Sequence, residues 1–421
     1  MRFCMITTFY PPYNFGGDGI FVQRLSHELA RQGHTVEVIH CIDSYRLLAG
    51  GKPAREAEHH PRVTVHGLRS PYGALAPLLT HQTGRPLVNA ARIREILARR
   101  FDVINFHNIS LVGGPGILAC GDALKLYTMH EYWLVCPTHV LFKSDGVACT
   151  HRGCLRCTLA HGRPPQVWRH TGKLRRALEH VDCFIAATRF VQEQHAELGL
   201  GPRSVVLPHF APWPAEPQAP LPDPPPGLPS GEPGLRSSGV EPSRERAGGG
   251  YFLFVGRLER LKGLHTILPV LRRRPDLRLV IAGTGSDERS LRDLARESAN
   301  VRFAGTVEGE ALRRLYREAI ALVVPSLCYE ICPLVILEAF SQGTPVVARR
   351  IGSLPEIVEA GARGETFATA EEAEAVMDRL RNDLAYRNRL SRGCLESCRR
   401  EYSLQTYVEK YLQIVSALGP R

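Results

Sequence analysis

The middle of this chain cannot build a core, and that divides the protein in two. Residues 211–250 hold 11 of the 31 prolines, including Pro224-Pro225-Pro226, and they end in Gly248-Gly249-Gly250. Proline removes a backbone donor, and few large apolar residues are present to bury. The segment therefore predicts an extended or disordered linker between residues 1–210 and residues 251–421. A chain of 421 residues also exceeds what one ordinary core holds, so two domains are expected on length alone.

Both halves alternate between short apolar runs and amphipathic stretches. In the first half, Phe3 to Phe9 reads as a strand, followed by a turn-rich segment through Gly16-Gly17. A helix with Phe21, Leu25 and Leu29 on one face follows and stops at Gly33. Thr35 to His40, Asp102 to His107, Lys125 to His130 and Cys183 to Ala187 read as further strands. In the second half the strands are Tyr251–Val255, Arg278–Ala282, Asn300–Phe303, Ala321–Val324 and Pro345–Ala348, the last clear one. Repeated strand-helix units predict an α/β fold, with two parallel sheets covered by helices. Two such domains would face each other across a cleft, the usual place for a small molecule.

Composition removes several classes. Hydrophobic residues at 44% and charged residues at 23% are ordinary for a globular protein, and no run of 18 apolar residues predicts a membrane span. The first nine residues are too short and too β-like for a signal peptide. Twelve cysteines without an export signal predict reduced thiols and a cytoplasmic protein. The net charge of +11 is uneven: residues 1–210 carry 24 Lys and Arg against 15 Asp and Glu. Such a basic half suits an anionic membrane surface, a phosphorylated or lipid-linked acceptor, or nucleic acid; solubility alone is the plainer explanation.

The chemistry gathers at strand ends. Glu330 and Glu338 stand eight positions apart. The first lies in the loop after Ala321–Val324, the second about a turn and a half into a helix starting near Pro333. That helix is apolar on most sides, with Leu334, Val335, Ile336, Leu337, Ala339 and Phe340, so its carboxylate must find a partner. Strand-to-helix crevices are where open α/β sheets bind ligands, and two acidic acceptors there suit a ligand rich in hydroxyls. Gly256-Arg257 closes one strand, and Lys262-Gly263 opens the next helical stretch. Both cations can reach one diphosphate, arginine with its fork and lysine as a point charge. The Gly16-Gly17 and Gly283-Thr284-Gly285 turns let backbone N–H groups approach phosphates, although neither is a full dinucleotide fingerprint.

Taken in order, these segments resemble glycosyltransferase family 4, the "glycosyl transferases group 1" family of retaining enzymes. The resemblance rests on Val255-Gly256-Arg257, Lys262-Gly263, Ala282-Gly283-Thr284-Gly285, Pro325-Ser326 through both glutamates, Gly343-Thr344-Pro345-Val346-Val347-Ala348 and Gly352-Ser353-Leu354-Pro355-Glu356. The first half matches more loosely, through Pro11-Pro12, Gly16-Gly17, His107 and His130. The family implies two facing Rossmann-like domains (the GT-B fold) with an interdomain cleft. Residues 1–210 would bind the acceptor and 251–400 a nucleotide-diphosphate sugar. Residues 401–421 would form a helix crossing back to the first domain.

The resemblance also implies roles. Arg257 and Lys262 would hold the donor diphosphate and stabilise its departing charge, so that catalysis would need no metal. Glu330 would bind sugar hydroxyls, Glu338 the ribose, and His130 would stand beside the reacting sugar. Gly16, Gly17, Gly256, Gly283, Leu334 and Val335 would complete the donor site. The expected activity is a retaining hexosyltransferase serving cell-envelope polysaccharide, glycolipid or natural-product synthesis, with peripheral attachment to the inner membrane face as one form. A nucleotide-sugar epimerase or hydrolase on the same fold is the alternative enzyme. One departure stands out: the family often has Gly-Phe-Gly after the first glutamate, and this chain has Ile331-Cys332-Pro333. Pro333 lacks an N–H that could hold the sugar, which leaves the donor sugar open.

Cys136, Cys149, Cys154 and Cys157 lie within 136–157, in a loop-like segment with little core of its own. The spacing suits a four-thiolate structural zinc site, with His139 or His151 as a substitute ligand, or else four unrelated reduced thiols. A basic, zinc-stabilised nucleic-acid binder would use the same features. It would not explain two Rossmann-like halves, so no nucleic-acid partner is expected.

Overall fold

The computed structural model describes residues 1–49, 51, 53, 56–143, 146–149, 153–196, 203–215 and 250–419. Most of the predicted linker, residues 216–249, lies outside the described residues.

The first domain is built on Arg2–Ile6 (β1), Thr35–Cys41 (β2), Val63–Leu68 (β3), Val103–Phe106 (β4), Leu124–Thr128 (β5), Cys183–Ala186 (β6) and Ser204–Val206 (β7). They form one sheet in the order β3-β2-β1-β4-β5-β6-β7, every pair parallel. The second domain carries Tyr251–Val255 (β8), Leu279–Ala282 (β9), Val301–Gly305 (β10), Ala319–Val324 (β11), Val346–Arg349 (β12) and Gly364–Phe367 (β13). Their order is β10-β9-β8-β11-β12-β13, again all parallel. Central strands such as β1, β4 and β11 are buried on both faces, which is why they read as unbroken apolar runs. Strand order reverses between β1 and β4 and again between β8 and β11, so each sheet opens a crevice at those carboxyl ends.

The structure corrects several boundaries. β1 ends at Ile6 rather than Phe9. Beyond it Thr8 leaves the ladder, its N–H reaching Asn108 O at 2.6 Å and its hydroxyl accepting from the N–H groups of Leu111 and Val112. Three strands were missed, β3, β7 and β13, so Pro345–Ala348 does not hold the last one. All three are sheet edges, where partial exposure removes the apolar run that marks a buried strand.

The Leu404–Leu418 helix returns to the first domain. Tyr407, Val408, Tyr411 and Val415 pack in one core with Phe3, Phe21 and Leu25, and the Asn105 amide donates to Tyr411 Oη at 3.2 Å. The domains also touch directly. The N–H groups of Arg189 and Phe190, at a helix start, donate to the Glu356 carboxylate at 2.9 and 3.3 Å, and Phe190 lies against Tyr329. Among the described residues no helix is long and apolar enough to cross a membrane. Because Tyr411 is fully buried and polar-bonded, Tyr411→Ala should lower unfolding free energy by about 3 kcal/mol. Denaturant titration with an unchanged midpoint would show that the returning helix does not hold the first domain.

Candidate active site

A cavity of about 790 Å3 opens between the domains at both crevices. Its first wall comes from the loop after β1 (Gly16, Gly17, Asp18), the loop after β4 (Asn108) and the residues after β5 (His130, Glu131). The facing wall comes from Gly256, Arg257 and Lys262 after β8, and from Ser326 through Val335 after β11. The two loop glycines are required for different reasons, backbone conformation at the first and close approach at the second. Gly16 has φ +67°, and a Cβ on Gly17 would run into Leu334 of the other domain.

The floor of the second wall is an ion pair. Lys262 Nζ lies 2.7 Å from Glu330 Oε1, which also accepts from Ser326 Oγ at 2.8 Å. Burial pushes the Glu330 carboxyl up, but Lys262, Ser326 and Arg257 outweigh it and leave it below its ordinary value. Burial pulls Lys262 down, and Glu330 and Cys328 more than restore it, so it sits above its ordinary value. The carboxylate's contribution to stability is present above its unfolded value and lost as pH falls through the lowered folded one. The ammonium's is present below its unfolded value and lost as pH rises through the raised folded one. The pair is therefore intact across the neutral range. The Glu330 backbone is fixed as well: its carbonyl accepts from Ser353 Oγ at 2.6 Å and, across the cleft, from Tyr132 Oη at 3.2 Å.

The remaining predicted residues divide. Arg257 lines the cavity but is mostly exposed and pairs with Glu259 at 2.6 Å. Leu334, Val335 and Gly256 line the cavity, whereas Gly283 and Glu338 are not among its lining residues. Glu338 lies behind, accepting from Tyr316 Oη at 2.8 Å. Burial pushes its carboxyl up, and Tyr316 together with Arg24 of the first domain pull it back.

Three cavity residues, Asp18, Glu131 and His209, and His107 behind them carried no role in the sequence reading. His107 Nδ1 stands 2.9 Å from His130 Nε2, and His130 stacks near His209 with ring centroids 4.9 Å apart. Burial drives all three far toward the neutral form, His107 to about 3 and His209 to about 4. Two neutral imidazoles share one hydrogen. His107 Nε2 is buried without a partner, and a stranded lone pair is tolerated better than a stranded N–H. His107 therefore donates from Nδ1, and His130 keeps its own Nδ1–H for a ligand. Asp18 and Glu131 are the acidic members. Burial and then Glu131 push the Asp18 carboxyl up to about 7, against hydrogen bonds from Gly19 and Asn108. Glu131 Oε2 holds His139 Nδ1 at 2.7 Å. The only signals in the chain were adjacency: Asp18 to the glycine pair, Glu131 to His130, and His209 to the end of the first domain.

Cys136, Cys149, Cys154 and Cys157 come near one another. Burial, then Cys136, Cys154 and Cys157, push up the Cys149 thiol. Yet among the described residues no three His, Cys, Asp or Glu side chains are grouped to hold an ion. Cys136 Sγ pairs with Thr138 Oγ1 at 3.1 Å, and His139 is committed to Glu131. His151 lies outside the described residues.

Family comparison agrees with this geometry. The profile of glycosyl transferases group 1 matches residues 240–393, and that of the glycosyl transferase 4-like domain matches 16–209. The chain belongs to the group 1 glycosyltransferases. It is 28% identical to a glycogen synthase of Mycobacterium tuberculosis, over 99% of this chain and 95% of that protein. An uncharacterized glycosyltransferase of Methanocaldococcus jannaschii is 30% identical over 188 residues, 42% of this chain and 46% of that one. In structure it resembles a sucrose-phosphate synthase of Thermosynechococcus elongatus, with TM-score 0.71, 19% identity and coverage of 99% and 98%. It also resembles HepE of Anabaena in complex with UDP-glucose, with TM-score 0.62, 16% identity and coverage of 99% and 100%. The fold is thus that of the two-domain glycosyltransferases.

A carboxyl that binds its proton more tightly when folded favours folding at low pH, and that advantage is lost as pH rises from about 4 to about 7. Asp18→Asn should remove this slope and raise stability at pH 8 by roughly 1–3 kcal/mol. Melting curves at pH 5 and pH 8 test it; an Asn variant with the parental slope rules it out.

Proposed function

We propose that this glycosyltransferase moves a sugar, with retention of anomeric configuration, from a nucleotide-diphosphate sugar to an acceptor held by the first domain. The observation that carries the reading is the half-buried Lys262–Glu330 pair, with Arg257 beside it, facing Gly17 and His130 across the cavity. In this reading Arg257 and Lys262 neutralise the departing diphosphate, which such a site does most effectively where water is excluded. Glu330 accepts from sugar hydroxyls, Gly16 and Gly17 bring backbone N–H groups to the phosphates, and neutral His130 donates from Nδ1 to the sugar. Glu338 would receive the ribose, releasing Tyr316 when nucleotide binds. The nucleotide donor is supported by HepE, a structural neighbour solved with UDP-glucose.

The acceptor side suggests amphiphilic partners. Leu47, Leu48, Leu78, Val140 and Pro164 line the cavity on the first domain, and Leu75 and Leu79 are exposed beside it. This favours a glycolipid or natural-product acceptor, met in the cytoplasm or at its membrane face. Release of nucleotide diphosphate from a panel of nucleotide sugars tests the reading. We expect turnover with at least one donor, and a loss of about 10² or more in kcat for Lys262→Ala and Glu330→Ala. Full activity in either variant sinks the assignment.

We propose that the thiols of 136–157 hold a structural zinc, which would draw Cys136, Cys149, Cys154 and Cys157 together. Elemental analysis should find one zinc per chain, and chelation should lower the melting temperature. Metal-free protein with an unaltered melt ends that proposal.

A further inference from the structure

A second cavity, of about 580 Å3, lies on the first domain. It is open to solvent and bordered by the C-terminal part of the Ile42–Ala49 helix, which supplies Arg46 and Leu47, and by the loop after β3, which supplies Arg69, Ser70 and Gly73. Leu47 lines this cavity and the main one, so the two adjoin at the acceptor side of the cleft. Three polar groups here are unused. Neither Arg46 nor Arg69 forms an ion pair or hydrogen bond among the described residues. Ser70 is 9% exposed, and its hydroxyl is buried without a partner.

A helix C-terminus accounts for one basic residue, Arg46, through the dipole. It accounts for neither Arg69 nor a stranded hydroxyl, which ordinarily costs free energy unless something accepts or donates to it. The one carboxylate present, Asp43, is already committed: its Oδ2 accepts the Ser70 N–H at 2.7 Å and so holds the loop in place. Two free guanidinium forks and a hydroxyl around a cavity form a site for a tetrahedral anion. The donor diphosphate is provided for on the other domain by Arg257 and Lys262.

We propose that this cavity is the acceptor's anion subsite and that it takes a phosphate ester carried by the acceptor. The assignment rests on the reading of the adjoining cleft as a sugar-transfer site. The cavity is larger than a phosphate and leaves room for the group that bears it. Leu48, Tyr72 and Leu75 stand exposed around it, at 61, 63 and 57%. An ester with an apolar arm and a free sugar phosphate share the recognised chemistry, and binding separates them.

Calorimetric titration of the full chain with farnesyl phosphate, glucose 6-phosphate and inorganic phosphate is the test, with UDP titrated separately. Saturable binding of at least one ester is expected. It should weaken tenfold or more in Arg46→Ala and in Arg69→Ala, less in Ser70→Ala, while UDP affinity stays within twofold. Tighter farnesyl phosphate assigns a lipid-borne acceptor, and tighter glucose 6-phosphate a soluble one. No saturable ester binding, binding of inorganic phosphate alone, or binding indifferent to both arginines overturns the subsite. Loss of UDP binding by the parent chain counts instead against the donor reading, and so the two failures are told apart.

Discussion

A carboxylate placed between two domains needs a cation, and much of the cleft follows from how Glu330 meets that need. Lys262 supplies the charge from the loop after β8, and Ser326 supplies a hydrogen bond from the start of the Glu330 loop itself. The adjacent carbonyl is tied to Ser353 in its own domain and to Tyr132 in the other. One residue thus joins the ends of β8 and β11, the helix behind them and the opposing domain. Desolvation alone would push Glu330 toward neutrality, and the ionised pair is what keeps a strong hydrogen-bond acceptor at the cavity floor.

The facing wall solves the opposite problem. His107, His130 and His209 are buried with no carboxylate bonded to them among the described residues, and so they are neutral. Neutrality turns His107 and His130 into a directional pair, one donating and one accepting, where two imidazolium rings would repel. The second-domain wall offers the Lys262–Glu330 pair and Arg257, and the first offers the directional histidine pair beside the Asp18 and Glu131 side chains.

The division of the chain and both parallel sheets were legible because proline crowding and buried strands leave one-dimensional signals. Edge strands β3, β7 and β13 left weaker ones, since their side chains are only partly buried. At the site, Arg257, Lys262, Glu330 and Gly17 could be located from strand ends, because a residue just past a parallel strand must face the crevice. Asp18 and Glu131 also lie just past β1 and β5, but a single acidic residue there forms no pattern of its own, and His209 follows β7, an edge strand with no clear apolar run. Glu338 shows the converse limit. Its buried helix correctly demanded a partner, and the partner is Tyr316 from the preceding helix, behind the cavity rather than in it.

The Ile331-Cys332-Pro333 departure reads differently once the helix is seen. Pro333 is the residue before the first turn of Leu334–Ser341, with φ −62° and ψ 118°. An N–H at that position would belong to no helical ladder, so its loss removes little that the helix requires. The N–H groups of Leu334 and Val335 remain at a helix start, on residues that line the cavity. What Pro333 does is fix the angle at which the chain enters the helix, while buried Ile331 and Cys332 anchor the loop on either side of the turn from Glu330. A loop of two glycines could shift to admit different sugars. This one is held by a rigid ring, two buried side chains and an ion pair, so a ligand entering the cavity meets a fixed shape more than backbone donors that move.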